Sequence, residues 1–165
     1  MTTTAKGTAP VTGAASGIGA ISAKGVRPQG WTTAFAEQSE KSFGDTLAED
    51  VTLEASVLAR PIVGRNRVKH VMGVASKIYE ALAFTHQAES GARTYLEWEA
   101  KAFGGESFAG VTVLTKDERG LIAHVAIHHR PLAALLRFSA ELRERLRGTI
   151  EPDHFFSGDR VIARV

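Results

Sequence analysis

The sequence of 165 residues contains no cysteine. Disulfides, thiolate nucleophiles and sulfur-ligated metals are therefore excluded, and the composition suits a reducing cytosol. No apolar run approaches the roughly 20 residues that cross a bilayer, so we expect a soluble, cytoplasmic protein without a membrane partner. Neither charge sign dominates, because 20 basic and 18 acidic residues are interspersed and leave a net charge of +2. This balance does not predict nucleic acid as a partner.

Acidic residues are missing from the start of the chain, where Glu37 is the first. Residues 1–30 are rich in Thr, Ala, Ser and Gly, and we interpret them as a flexible or weakly ordered segment. Regular apolar spacing begins at Trp31. We therefore predict one folded domain over residues 31–148, followed by a C-terminal extension over residues 149–165.

The spacing of apolar residues within this domain predicts helices and strands in a fixed order. Helical periodicity covers about Trp31 to Ser42, Arg65 to Ala83, and the stretch from Pro131 to near Gly148. Alternation predicts strands over residues 51–56, 84–89, 93–103, 107–115 and 120–130. Gly104 and Gly105 indicate a hairpin turn, since both can adopt positive φ. The order predicts an α+β fold with helices on one face of a curved antiparallel sheet.

Three stretches between residues 31 and 147 have the order and spacing of a known family: LAEDVTLEASVLARPIVGRNRV, YLEWEAK and FAGVTVLTKDERGLIAHVAIHHRPLAAL. They resemble the nuclear transport factor 2-like superfamily, in its SnoaL-like and ketosteroid-isomerase-like branch. The resemblance implies a cone in which a curved sheet and the N-terminal helices surround an apolar cavity, and it implies a homodimer. The family includes isomerases, dehydratases, epoxide hydrolases, cyclases and proteins with no known reaction, so the fold alone does not give the function.

The acids that such enzymes use are missing from the matching positions. Ala55 stands where the steroid isomerase branch has its carboxylate base, and Val111 or Thr112 stands where its protonated acid is expected. In the epoxide hydrolase branch an aspartate lies on the last strand, where this sequence has His128 and His129. Both of those mechanisms are therefore disfavoured.

His129 is the candidate acid or base that remains. Alternation places it on one face of the last strand with Val125 and Ile127, at the wide end of the predicted cavity, where an imidazole can transfer protons. The competing interpretation is a partly exposed histidine that bonds to backbone. Glu54 is a nearby acid, although alternation favours its exposure to solvent. No metal site is predicted, because His124 and His128 stand about 13 Å apart along a strand.

The pocket itself is predicted from large apolar side chains on helix and strand faces. These residues are packing elements that also line the cavity of a cone. The predicted lining consists of Trp31, Phe35, Tyr79, Trp98, Val111, Val125 and Ile127.

The segment from Val11 to Gly19 matches the TGxxxGIG motif of short-chain dehydrogenases. Its context does not match, because Pro10 and polar residues stand where an apolar strand should precede the motif. No series of βαβ units follows, and neither Tyr79 nor Tyr95 has a lysine four residues later. We therefore predict no nucleotide cofactor, and we interpret the motif as a relic or fusion remnant.

Two functions remain open. The first is an enzyme that isomerises, dehydrates, cyclises or hydrolyses a hydrophobic small molecule without a cofactor. The second is a non-catalytic ligand-binding or dimerisation domain of the same fold, which the missing acids favour.

Overall fold

The computed structural model describes residues 20–22, 26–27 and 29–157. The helical segments of this part are α1 (Gly30–Glu37), α2 (Glu40–Gly44), α3 (Arg65–Ser76), α4 (Leu132–Arg145) and a 3-10 turn (Pro152–His154). The strands are β1 (Ala20–Ser22), β2 (Leu47–Ala55), β3 (Ile62–Val63), β4 (Ala81–Ser90), β5 (Arg93–Ala102), β6 (Glu106–Lys116) and β7 (Ile122–Arg130). The dinucleotide-like motif at residues 11–19 lies outside the described residues, as do residues 158–165.

These strands form one curved sheet in the order β1-β4-β5-β6-β7-β2-β3. Strands β4 to β7 pair antiparallel, as the hairpin signals predict. The sheet is mixed rather than wholly antiparallel, because β2 pairs with β7, and β1 with β4, in parallel. Parallel neighbours need a long crossover, which α3 and four strands provide between β2 and β7. The predicted α+β class, with helices packed on one face of the sheet, is confirmed.

The first helical region is divided, whereas the sequence predicts a continuous helix from Trp31 to Ser42. Gln38 ends α1 in the left-handed conformation, with φ of 49°. Ser39 then starts α2, because its side chain accepts a hydrogen bond from the backbone N–H of Ser42. The break lets Phe35 and Phe43 meet edge to face, with ring centroids 5.1 Å apart, and Trp31 packs against both.

The helix predicted from Arg65 to Ala83 ends earlier, at Ser76. Backbone N–H groups of Lys77 and Ile78 bond to carbonyls three residues back, which tightens the last turn and closes the helix. Tyr79 therefore lies in the connection to β4 rather than on a helix. It is buried there, with 5% of its surface exposed.

The predicted hairpin turn between β5 and β6 is confirmed, with φ of 80° at Gly104 and 99° at Gly105. The predicted orientation of Val111 is wrong. On β6 the inward residues are Phe108, Gly110, Thr112 and Leu114, so Val111 points to the outer face, opposite the exposed Glu97 and His128. Apolar pattern could not decide this register, because the outward Ala109, Val111 and Val113 are apolar as well.

Contacts extend beyond the predicted limits of residues 31 and 148. Strand β1 pairs with β4, and Val26 is buried. After α4, Ile150 and Phe155 are also buried. None of the helices in the described ranges is long and apolar enough to cross a membrane. Within the same ranges, no group of three or more His, Asp or Glu side chains could hold a metal ion.

Candidate functional site

A small apolar cavity lies between the helices and the inner face of the sheet. Its free volume is about 20 Å³, enough for about one water molecule. The lining residues are almost all apolar: Phe35, Leu53, Ala55, Val57, Leu58, Val71, Met72, Ala75, Tyr79, Ile127, His129, Phe138 and Leu142. Only Tyr79 and His129 bring a polar side-chain group to this lining.

His129 reaches the cavity because β7 alternates between the two faces of the sheet. Val125 and Ile127 precede it on the inner face, as the sequence predicts. Its backbone N–H donates to the hydroxyl oxygen of Ser56 at 2.8 Å, and that hydroxyl donates to the Ile127 carbonyl at 3.1 Å. Ser56 therefore joins the end of β2 to β7 and fixes the backbone that carries the imidazole.

The imidazole pairs with a buried phenol. The hydroxyl oxygen of Tyr79 and Nε2 of His129 are 3.2 Å apart. Desolvation is the main cause that lowers the pKa of His129 to about 4, and the nearby Ile127 backbone, which makes no hydrogen bond of ordinary geometry to the ring, offsets it only in part. Burial raises the pKa of Tyr79 far above its usual value. Both side chains are therefore neutral near pH 7.

Nδ1 of His129 is buried and has no hydrogen-bond partner among the described residues. A neutral imidazole has one N–H donor and one acceptor nitrogen. If the Tyr79 hydroxyl donates to Nε2, then Nδ1 is the donor; if Nε2 donates to Tyr79, then Nδ1 is the acceptor. In either tautomer, one hydrogen-bonding position of the ring is left unused in an apolar surrounding, where such a position is energetically costly.

Aromatic rings hold this pair in place. The His129 ring meets Trp98 edge to face at 5.2 Å and Phe138 at 5.9 Å, while Tyr79 packs on Phe138 at 5.0 Å. The indole N–H of Trp98 donates to the hydroxyl of Thr112 at 3.1 Å. Thr112 therefore accepts the hydrogen bond from the only polar atom of the Trp98 side chain. The rest of the indole is apolar and packs against the His129 ring.

Gly110 allows Trp98 to reach that position. A methyl group at Gly110 would lie 2.4 Å from the indole atom Cζ2 of Trp98 and 2.3 Å from the carbonyl oxygen of His128. Both distances are far shorter than any ordinary contact. The absence of a side chain on this residue therefore sets how closely β5, β6 and β7 approach around the imidazole.

The predicted site residues divide into those that meet in the interior and those that do not. Phe35, Tyr79, Ile127 and His129 line the cavity together, and Trp98 touches the His129 ring. Trp31 and Val125 are buried in the core but are not among the lining residues, and Val111 is on the outer face.

Glu54 is also on the outer side of the sheet. Its carboxylate lies 3.2 Å from Nε2 of His124, and 55% of its side chain is exposed. The structure therefore does not bring Glu54 together with His129. Glu97 is likewise exposed and lies 3.2 Å from His86.

Sequence reasoning missed three residues that build the site: Ser56, Gly110 and Thr112. A glycine inside a strand signals a close approach of another group, so Gly110 could have been found. Nothing in the sequence distinguishes Ser56 or Thr112 from ordinary strand residues, because their role depends on partners that are distant along the chain.

The outer face of the sheet has a shallow concavity of about 620 Å³. Small residues, Ala81, Ala83 and Ala109, form its floor. Charged side chains of both signs, Glu99, Lys101 and Arg130, stand around it. This surface is separate from the interior cavity.

No family model matches the sequence, and no curated protein matches it. Solved structures do match. A protein with a cystatin-like fold from Silicibacter pomeroyi DSS-3 is 23% identical with a TM-score of 0.66, over 70% of this chain and 81% of that one. A steroid delta-isomerase from Pseudomonas aeruginosa is 22% identical with a TM-score of 0.65, over 70% and 85%.

A third match is a hypothetical protein from Catenulispora acidiphila DSM 44928 with a ketosteroid isomerase-like fold, in complex with trimethylamine. It is 16% identical with a TM-score of 0.54, over 67% of this chain and 89% of that one. The protein has the nuclear transport factor 2-like fold. At these identities the likeness shows the fold and does not transfer an activity.

Within this nuclear transport factor 2-like fold, the interior differs from an acid-based active site. Ala55, at the position of the expected base, lines the cavity. Thr112, at the position of the expected acid, is buried and bonded to Trp98. No carboxylate is among the residues that line the cavity in the described part of the chain. The chemistry available there consists of one phenol and one neutral imidazole.

Proposed function

We propose that the protein binds a small, uncharged hydrophobic molecule that carries one hydroxyl group, in its interior beside Tyr79 and His129. The observation that supports this most directly is the buried, unpaired Nδ1 of the partly buried His129, whose other ring nitrogen is already paired with Tyr79. A hydroxyl group both donates and accepts, so it satisfies Nδ1 in either tautomer.

The surroundings argue against a charged ligand. Among the residues that the structure describes, no ionised group lines the cavity, and desolvation already keeps His129 neutral. An ion placed there would lose its hydration without gaining a countercharge. The same physical reason favours an alcohol or phenol over a carboxylate or an amine.

Catalysis without a cofactor is the second candidate function, because the hydrogen bond between Tyr79 and His129 provides a path along which a proton can move. An imidazole with a pKa of about 4 is a weak base near pH 7. The interior therefore supports binding better than proton abstraction by His129. A cytoplasmic location remains a prediction of the cysteine-free composition.

Phenol, toluene and benzoate test the binding proposal, because they share a ring and differ in polarity and charge. We expect phenol to bind most tightly and benzoate most weakly, by calorimetry and by the NMR signal of the Trp98 indole N–H. His129→Leu should weaken phenol binding about tenfold, equivalent to one net hydrogen bond of about 1.4 kcal/mol. Toluene binding should stay within about twofold.

His128→Leu is the matched control, because His128 is the neighbouring histidine on the outer face. It should leave phenol affinity unchanged. Equal loss of affinity in both variants, or equal affinity for phenol and benzoate, would contradict the proposal. Conversion of bound alcohols by the wild type, abolished in His129→Leu, would favour the enzyme.

We also propose that two copies of the chain associate through the outer face of the sheet. Ala109, Val111 and Val113 form a half-buried apolar strip there. Carboxylates and cations stand on the same face: Glu97, Glu99, Lys101 and Arg130. In a two-fold dimer, the same patch of each subunit faces its copy. Such a patch needs both positive and negative side chains so that opposite charges can meet across the interface.

Val111→Arg tests this association. The added guanidinium would lie in the apolar strip and face the same positive charge of the second copy across the two-fold axis, which disfavours association. We therefore expect the wild type to sediment as a dimer and Val111→Arg as a monomer in sedimentation velocity. Val63→Arg is the control, since Val63 is 52% exposed on β3 at one edge of the sheet. A monomeric wild type, or a dimeric Val111→Arg variant, would refute the interface.

A further inference from the structure

The segment from Glu151 to Ser157, called the strap below, crosses the molecule next to the interior cavity. It follows α4 and contains the 3-10 turn. Phe155 is the buried residue of the strap, with 4% exposure, and it pairs with Leu58 in an isolated antiparallel bridge. The backbone N–H of Ala59 donates to the His154 carbonyl at 2.8 Å in the same bridge.

Leu58 and Phe155 lie between the interior cavity and a depression on the protein surface. Leu58 lines the interior cavity beside His129. Phe155 lines a surface depression of about 390 Å³, together with Ala59, Arg143 and other strap residues. The bridged pair is therefore the partition between the outer depression and the interior.

The contacts that hold the strap differ from those on the other sides of the cavity. Two ion pairs, Arg60 with Asp153 and Arg67 with Glu151, have largely exposed side chains. Further hydrogen bonds join the strap to the domain: the backbone N–H of Phe156 donates to the hydroxyl of Ser139 at 3.0 Å, and the His154 ring nitrogens lie 3.3 Å from the Arg60 carbonyl oxygen and 3.3 Å from Nη2 of Arg67. Exposed ion pairs contribute little to stability because water competes for both charges. Elsewhere the cavity is enclosed by residues of β2, β7 and the helices, by Val57 after β2, and by Tyr79 in the connection from α3 to β4.

The size of the cavity makes an opening necessary. About 20 Å³ accommodates one water molecule, whereas a ring with a hydroxyl group has seven or so heavy atoms and needs several times that volume. From this geometry we infer that the strap is the gate of the interior site: ligand enters from the outer depression when Phe155 and the bridge to Leu58 move away. This inference rests on the proposed function.

A reversible cross-link tests the gate. The bridge places Ala59 opposite His154, and neither residue belongs to the Leu58–Phe155 partition. Because the chain has no cysteine of its own, the double variant Ala59→Cys/His154→Cys carries a single pair of thiols. In the oxidised form, we expect the association rate of phenol, followed by stopped-flow tryptophan fluorescence, to fall at least tenfold. Reduction should restore the rate.

A second variant opens the gate without removing a core side chain. Glu151→Gln/Asp153→Asn neutralises both ion pairs of the strap. We expect its phenol association rate to rise several-fold with an unchanged dissociation constant, because a gate alters entry and exit equally. Glu141→Gln/Glu144→Gln removes two exposed ion pairs of α4 and should leave the rate unchanged.

The two proposals fail in different ways. Equal association rates in the oxidised and reduced forms, with phenol still bound and still dependent on His129, would overturn the gate alone. Absence of saturable phenol binding in the wild type and in both strap variants would overturn the binding function and the gate with it.

Discussion

Acidification from pH 7 to pH 4 is expected to lower the free energy of unfolding of the wild type by about 3 kcal/mol more than that of His129→Gln. In the folded protein, desolvation lowers the pKa of His129 from 6.5 to about 4. Between these values the unfolded chain binds a proton that the folded protein does not bind. Stability is therefore full above pH 6.5 and is lost as the pH falls toward 4. Urea unfolding at several pH values measures the difference.

The difference between the wild type and His129→Gln isolates the contribution of His129 to the pH dependence of the free energy of unfolding. The carboxylates titrate in both proteins, so their contributions cancel in this difference. His128→Gln is the matched control: this neighbour is exposed on the outer face. Electrostatic repulsion from His128 is the smallest of the causes that act on the pKa of His129, so this variant should change the pH dependence far less than His129→Gln does. Parallel curves for the wild type and His129→Gln would show that His129 is not held neutral by burial.

Gly110→Ala is expected to destabilise the protein by about 3 kcal/mol or more, the upper end of what overpacking produces. The new methyl group would lie 2.3 Å from the backbone carbonyl oxygen of His128 and 2.4 Å from the Trp98 ring. A strand carbonyl cannot rotate away from the contact. The Trp98 ring can move only by leaving Thr112 and His129, so the sheet must separate locally.

Urea unfolding gives the stability, and the NMR signal of the Trp98 indole N–H shows whether the bond to Thr112 survives. Val111→Ala, at the adjacent residue on the outer face, should change stability by about 1 kcal/mol or less, since Val111 is only half-buried. A Gly110→Ala variant that keeps wild-type stability and an unchanged Trp98 signal would contradict the close packing described here.

Much of the fold could be predicted because its signals are local. Glycine at Gly104 and Gly105 marks a turn by its own backbone freedom, and the strands on each side alternate with a period of two. Helix ends were predicted less well. Gln38 adopts the left-handed conformation, its side chain donates to the Ser76 carbonyl at 2.9 Å, and Phe35 packs on Phe43 across the break. These contacts are tertiary, so the spacing of apolar residues does not show where α1 stops.

The orientation of Val111 shows a limit of pattern reasoning. A strand with apolar residues on both faces has no hydropathy contrast, and its register follows from its neighbours. Pairing of Val111 with His128 and Glu97 turns it outward. The last strand is different, because Val125, Ile127 and His129 alternate with Ala126 and with polar residues, and the structure places these three on the inner face as predicted.

The sequence by itself determined the order of the main helices and of strands β2 and β4 to β7, the α+β class, and the inward side of Val125, Ile127 and His129 on β7, because these depend on spacing along the chain. Only the tertiary structure decided what His129 can do. Its bonds to Tyr79 and Ser56 come from residues 50 or more positions away, and its low pKa comes from burial, with the Trp98 and Phe138 rings packed against the imidazole. Burial and hydrogen bonding depend on which residues are close in space, and the spacing of residues along the sequence does not give these distances.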